Sequence, residues 1–295
     1  MNSYFSESFK NKNLKTFKKI LKVLGIVLLL VAVGVGSLYL IYLRPFINKM
    51  SVTNSKEYDK SLTIITGGGG NSGILTSDSL ILLIDTKQDE AAEVLYNQVK
   101  KLAGSKPVLV VNTHYHPDHV SGNKFYKDAT ILAGGNYTKE DWIKNTNAGT
   151  LPNKWLQDSL NLNMGDETVT ILNLGKNIHT PSDVVVYLHK RKMLFAGDII
   201  LNKQAPYISE TASPNAYLTA FEVLPKQFDI QTIVPGHGEV GGIEVLESFK
   251  QYFNDMKLAA ADASQKDALV AKYKNWGQIP IFMSPNATIS AFQRK

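Results

Sequence analysis

His114-Tyr115-His116-Pro117-Asp118-His119 puts three imidazoles and one carboxylate into six positions. Imidazole nitrogen and carboxylate oxygen are common donors to a divalent cation. Packing does not explain so dense a group. It points to two metal ions side by side, and from there to hydrolysis. His114 and His116 are two apart, so on an extended backbone both side chains leave on the same side and can grip one ion. Asp118 and His119 then face a neighbouring space. Further donors sit in turn-like or glycine-rich contexts after apolar runs: His179 in Asn177-Ile178-His179-Thr180-Pro181-Ser182-Asp183, Asp198 at the end of Leu194-Phe195-Ala196-Gly197-Asp198, and His237 in Pro235-Gly236-His237-Gly238. His179 can complete three donors around the first ion and leave a place for water, the layout of a catalytic zinc. His237 can complete the second site, and Asp198, with two oxygens, can bridge.

These residues need rigid elements that end at one edge. Leu62–Thr66, Gly73–Thr76 and Leu80–Asp85 read as short strands between turn residues. Ala92, Leu95, Val99 and Leu102 have helical spacing and predict a helix over Asp89–Leu102, closed by Gly104 and Pro107. Val108–Asn112 is an apolar strand that delivers the histidine run. Thr168–Leu174, Val184–His189, Met193–Ala196 and Ile230–Val234 read as later strands, the middle pair joined by a hairpin. Leu246, Phe249, Phe253, Met256 and Ala260 form one apolar stripe on a C-terminal helix, a core feature. Strands with interspersed helices predict an α/β class, a layered sandwich with helices outside. Both halves run strands, helix, then a histidine-bearing loop, which hints at a pseudo-duplicated architecture.

The chain contains no cysteine, so disulfides and thiolate ligands are excluded. Its charge is uneven. Residues 1–50 hold eight lysines and arginines against Glu7 alone, and the rest is close to neutral. A nucleic-acid footprint is therefore missing from the part that carries the histidines. Val23–Leu43 is 21 residues without a charge, long enough to cross a bilayer as a helix. Lysines precede it and Tyr39 and Tyr42 lie near its far end, which predicts a cytoplasmic N-terminus and an extracytoplasmic remainder. The run is longer than the apolar core of a cleaved signal peptide. The expected organisation is a basic cytoplasmic tail at 1–22, a transmembrane anchor at 23–43, a polar tether at 44–60 and a metallo-hydrolase domain at 61–295.

The His114-x-His116-x-Asp118-His119 run, His179, the Gly197-Asp198 pair and the Pro235-Gly236-His237-Gly238 run together resemble the metallo-β-lactamase superfamily, in order and spread over residues 60–240. The resemblance implies a four-layer αββα sandwich with a dimetal site between the sheets. By it, His114, His116 and His179 correspond to the first metal site, Asp118, His119 and His237 to the second, with Asp198 bridging. Asp198 stands where the true β-lactamases carry cysteine or serine, and in this it is similar to the glyoxalase II and lactonase branches. Ser182 departs from the glycine of many relatives and should reshape a loop without touching the ligand set. The expected chemistry is attack by a metal-bound hydroxide, formed from a water whose pKa the two ions lower toward about 7, on a small ester, thioester, lactone or amide. Asp118 orients the nucleophile and is the expected catalytic residue. Zinc suits these donors, and iron or manganese fits the same set.

Other readings stand beside this one. The same superfamily includes iron-dependent oxidation of thiol or persulfide substrates, and a non-catalytic binding module is a third reading, against which the full set of seven donors argues. The expected partners are a small-molecule substrate and, through the N-terminal helix, a membrane. His189, beside Lys190, Arg191 and Lys192, reads as a solvated turn. Gly67–Gly73 lacks the Lys-Ser/Thr of a phosphate loop and reads as a flexible turn near the site mouth. Asp183 reads equally as a ligand-orienting carboxylate or an ordinary turn residue. Asn202, Lys203 and Tyr207 are candidate substrate contacts in a polar loop.

Overall fold

The computed structural model describes residues 2–44, 53–146, 149, 151–279 and 281–294, in two compact units that divide after Ile47. The N-terminal unit is helix α1 (Asn2–Leu38), continued by a π-helical turn over Tyr39–Leu43. Within it Phe17–Ile41 is long and apolar enough to cross a membrane, by length and composition, and it is unburied.

The second unit is a sandwich. One sheet has seven strands in sequence order: β1 (Thr53–Glu57), β2 (Leu62–Gly67), β3 (Ser72–Thr76), β4 (Ile81–Ile84), β5 (Val108–Val111), β6 (Thr130–Gly134) and β7 (Lys154–Leu156). Strands β1 to β4 pair antiparallel, whereas β4 to β7 pair parallel. Helix α2 (Asp89–Ala103) crosses between β4 and β5, and α3 (Lys139–Asn145) between β6 and β7. The other sheet has five strands in the order β12-β11-β10-β9-β8: β8 (Ser159–Asn163), β9 (Thr168–Asn173), β10 (Val184–Leu188), β11 (Met193–Phe195) and β12 (Thr232–Val234). Helix α4 (Pro214–Gln227) connects the parallel pair β11 and β12, and α5 (Glu244–Ala261), α6 (Lys266–Lys272) and α7 (Pro285–Gln293) follow.

The apolar pattern explains the layers. In β4, Leu82 and Ile84 enter the core between the sheets, while Ile81 and Leu83 face Leu95 and Val99 of α2. In β10, Val184, Val186 and Leu188 point inward, and Val185 and Tyr187 pack under the helices that carry Tyr217, Phe221, Phe249 and Phe253. A strand covered on both faces reads as a continuous apolar run, as these do. The result is the expected helix–sheet–sheet–helix sandwich. The aromatic stripe at Phe249 and Phe253 is core, both side chains being fully buried.

One boundary differs from expectation. Residues 53–57, placed in the tether, form β1 and pair in register with β2, from Thr53 against Gly67 to Glu57 against Thr63. All five residues are exposed, so the strand has no apolar alternation to betray it and is held by its backbone. Just beyond it, Arg191 binds Asp59 and Glu167 and ties this edge to the other sheet. Residues 45–52 of the predicted tether lie outside the described residues.

Candidate metal centre

The site lies where strands of both sheets end. Strand β5 runs out at Val111, and Asn112-Thr113 leads into the histidine run. His116 is the N-cap of a helical turn at Pro117–Val120, with proline at the first helical position, where its missing N–H costs nothing. That turn swings Asp118 and His119 away from His114 and His116. His179 arrives on the loop between β9 and β10, Asp198 on the turn after β11, and His237 on the loop after β12.

The seven side chains converge as two groups. In the first, Nδ1 of His116 is 3.0 Å from Nε2 of His114 and 3.0 Å from Nε2 of His179. In the second, Nε2 of His237 is 3.0 Å from Oδ2 of Asp118 and 3.4 Å from Nε2 of His119. Asp198 stands between them. Its Oδ2 is 3.5 Å from Nε2 of His179 and 3.9 Å from Nε2 of His114, and its Oδ1 is 3.2 Å from Nε2 of His119 and 3.5 Å from Nε2 of His237. Five of the chain's six histidines are here. His189 is not: it is exposed and bonds Thr170 Oγ1 at 2.7 Å.

Outer partners set which ring nitrogen faces inward. His179 Nδ1 meets the buried hydroxyl of Tyr217 at 2.7 Å. His119 Nδ1 meets Oδ2 of Asp85 at 2.7 Å. His114 Nδ1 lies 3.1 Å from Thr113 Oγ1, which itself donates to Asp85 Oδ2 at 2.7 Å. Each outer N–H therefore has an acceptor, and the inner nitrogen presents a lone pair. Asp183, open between two readings in the sequence, accepts from the backbone N–H of His179 and Thr180 and from the Thr180 hydroxyl. It shapes the loop that carries His179, and burial pushes its carboxyl up to about 7. The Ser182 hydroxyl is buried, donates to Asn173 Oδ1 and accepts from the Asn136 N–H, so it shapes the loop and stays clear of the donors.

The two groups differ electrostatically. Burial, reinforced by His116, pushes His179 down to about 3, and burial likewise lowers His114 and His116. These are neutral imidazoles with free lone pairs. Burial also works against protonation of His119 and His237, but Asp118 and Asp198, with Asp85 for His119, outweigh it and raise both. Burial opposes ionisation of Asp118 and Asp198, and the surrounding imidazoles more than compensate. The carboxylates thus favour positive charge at the second group, whereas the first group disfavours it. Asp198 Oδ1 is buried with His119 Nε2 3.2 Å away and, among the described residues, no well-aligned hydrogen bond, a costly state that a cation would relieve. Neutral nitrogen donors in one group, carboxylates in the other and an unbonded oxygen between them fit a pair of divalent ions.

The glycine tract lies against this centre. A methyl group added at Gly70 would stand 2.2 Å from Cε1 of His119, and one at Gly69 2.6 Å from the Asp118 carbonyl oxygen. Of the candidate substrate contacts, Tyr207 is 42% exposed with its ring 6.1 Å from that of His116. Asn202 instead bonds the Glu239 carbonyl, and Lys203 is exposed. Sequence reasoning missed Asp85, Thr113, Tyr217, Lys87 and Asn71. Only Asp85 carries a local signal, a carboxylate closing a buried strand.

A helix-flanked double sheet with two histidine–aspartate groups at its strand ends defines a metallo-β-lactamase-type protein. The sequence model of the Metallo-beta-lactamase superfamily matches residues 65–237, and the chain belongs to that family. Among curated relatives, a metallo-beta-lactamase type 2 of Bacillus cereus is 30% identical over 56% of this chain and 65% of its own length. A metallo-beta-lactamase type 2 of Bacteroides fragilis is 28% identical over 66% and 80%. The acyl-coenzyme A thioesterase MBLAC2 of Gallus gallus is 22% identical over 49% and 61%. In fold, the chain is similar to a metallo-beta-lactamase from Pontibacter korlensis, with TM-score 0.60 at 21% identity over 69% of this chain and 99% of that one. It is also similar to the Pseudomonas aeruginosa metallo-beta-lactamase FIM-1 in its mono-zinc form, with TM-score 0.56 at 21% identity over 70% and 96%.

Proposed function

We propose that this protein is a binuclear metal-dependent hydrolase of a small ester, thioester, lactone or amide, anchored in the membrane with its catalytic unit outside the cytoplasm. The observation that carries the first half is Asp198, whose two oxygens face two separate histidine groups. His114, His116 and His179 would hold one ion, Asp118, His119 and His237 the other, and Asp198 both. Two ions so held supply Lewis acidity, acidifying water and polarising a carbonyl. The protein's own part is positional. Asp118 is in reach of the second group and only partly buried, so its carboxylate can accept a proton from a water and orient it. Tyr207, beside His116, offers an apolar face to a substrate's flank. An aspartate at 198, with a thioesterase among the relatives, favours ester and thioester substrates of the glyoxalase II and lactonase kind. Zinc is the favoured ion, and a mono-zinc relative supports it.

The full chain, purified in detergent, should carry two equivalents of divalent metal by elemental analysis. It should hydrolyse a member of a panel of esters, acyl-coenzyme A thioesters, lactones and β-lactams, and His116→Ala should abolish this. One iron per chain with oxygen consumption and no hydrolysis would overturn the proposal in favour of thiol oxidation. The topology rests on the lysines preceding Val23–Leu43. Protease added outside intact cells should remove the catalytic unit, and protection would reverse the orientation.

A further inference from the structure

Lys87 is fully buried and, among the described residues, has no carboxylate in hydrogen-bond contact. Its ammonium donates to three backbone carbonyls: Ile65 at 3.1 Å, Gly67 at 2.6 Å and Gly70 at 2.7 Å. All three belong to the end of β2 and the glycine turn after it. Burying an ammonium is expensive unless each proton finds an acceptor, and here all three do, on one turn.

That turn is braced against the second histidine group. Gly69 and Gly70 leave no room for a side chain against Asp118 and His119. The Gly70 N–H donates to the Asp118 carbonyl at 3.0 Å. Asn71 donates from its backbone to Gly236 at 2.8 Å, and from its amide to Pro235 at 2.8 Å and Gly238 at 2.9 Å. The turn therefore spans from the Asp118-His119 segment to the His237 loop.

Lys87 also closes a strained corner. Asp85 and Lys87 have φ of 55° and 60°, a left-handed conformation that non-glycine residues rarely adopt. The corner aims Asp85 at His119 Nδ1, lets Thr86 N–H donate to the His119 carbonyl at 2.7 Å, and sends Lys87 under the glycine turn. Three consecutive residues thus fix His119 by its ring nitrogen, its backbone and the turn over its ring face.

We propose that Lys87 is a positioning residue for the cation held by Asp118, His119 and His237, acting through the glycine turn, and that its influence stops short of His114, His116 and His179. The inference rests on the two-ion reading above. The contacts of the turn end on the Asp118-His119 and Pro235–Gly238 segments, which gives the selectivity its structural basis.

The test is zinc titration of the metal-free full chain in detergent, by calorimetry. In a His116→Ala background, where the second group remains, Lys87→Met should weaken zinc binding by about 10–100-fold, the usual effect of removing an outer partner of a metal ligand. In a His237→Ala background, where the first group remains, the same substitution should change it by less than about threefold. A general loss of structure would weaken both backgrounds alike, and that result, or no effect in either, overturns the inference. If Lys87→Met does not fold by circular dichroism, Lys87→Gln, which keeps a donor but not the reach or the charge, carries the same comparison. If neither folds, Lys87 is a general structural residue and the inference fails. A wild-type chain that binds one zinc ion overturns the two-ion reading itself, and the inference with it, before any Lys87 variant is made.

Discussion

Gly70→Ala is the sharpest perturbation the structure offers, because it adds one methyl group and no chemistry. Gly70 is not among the glycines with positive φ, so the effect of alanine there is chiefly steric. The new carbon would stand 2.2 Å from Cε1, 2.4 Å from Nε2 and 2.5 Å from Nδ1 of His119. A comfortable contact needs roughly 3.5 Å or more, so ring or loop must retreat by more than an ångström. The ring is held by Asp85 at Nδ1. The loop is held at Gly70 N–H by Asp118, at Gly70 O by Lys87 and at Asn71 by Gly236. Neither yields freely. Overpacking of this kind costs about 1–3 kcal/mol, which for a domain of this size lowers the melting temperature by about 2–12 °C. The displaced ring loses its aim, and an ångström of misplacement costs about 100-fold in rate. The assay is thermal unfolding of the metal-free chain together with hydrolysis of the substrate found by the screen. A Gly70→Ala chain with wild-type melting and wild-type turnover would refute the close approach of turn to ring.

Tyr217→Phe removes the hydroxyl 2.7 Å from His179 Nδ1 and should weaken zinc binding by the first group about 10–100-fold, measured in the His237→Ala background. Stripping metal with a chelator should lower the melting temperature. Saturation at 100 times Kd adds about 2.7 kcal/mol to stability for each ion, so the shift for two ions should be about 10–20 °C, and an unchanged melt would mean that no ion was bound. Asp255 tests pH dependence away from the site. Burial opposes its ionisation, but bonds from Lys272, Tyr273 and Gln251 prevail and hold its carboxyl below the ordinary 3.8. A depressed folded value stabilises the fold above the unfolded pKa and loses that contribution as the pH falls through the folded one. Asp255→Asn should therefore cost about 2 kcal/mol at pH 7, with the deficit closing below about pH 4, as followed by melting across pH.

The donors were legible because their spacing is local or their context is. Two histidines two positions apart on a strand exit, and an aspartate after a glycine at a strand end, declare themselves. The strands β4, β5 and β10 were legible because burial on both faces makes them continuously apolar. What stayed hidden was held by partners distant in sequence. Asp85 lies 34 residues before His119, and Tyr217 38 residues after His179, and neither has a pattern around it. Lys87 carries no mark in the sequence, since burial of an ammonium by carbonyls leaves no trace in composition. Strand β1, Thr-Asn-Ser-Lys-Glu, offers no apolar face, and β7 is three residues long. The helix at Lys139–Asn145 was readable in principle: Thr138 and Asp141 form a reciprocal capping box.

Both histidine groups draw on both halves of the chain. His116 meets a partner 63 residues later and His119 one 118 residues later. A ribosome therefore releases the histidine run long before either group can close. The run alone brings three imidazoles and one carboxylate, and the partners that complete each group are still to come. The first group is complete only once Asp198 has emerged, and the second waits for β12 and His237. Each donor group is thus a product of the docked sheets and not of the histidine run by itself.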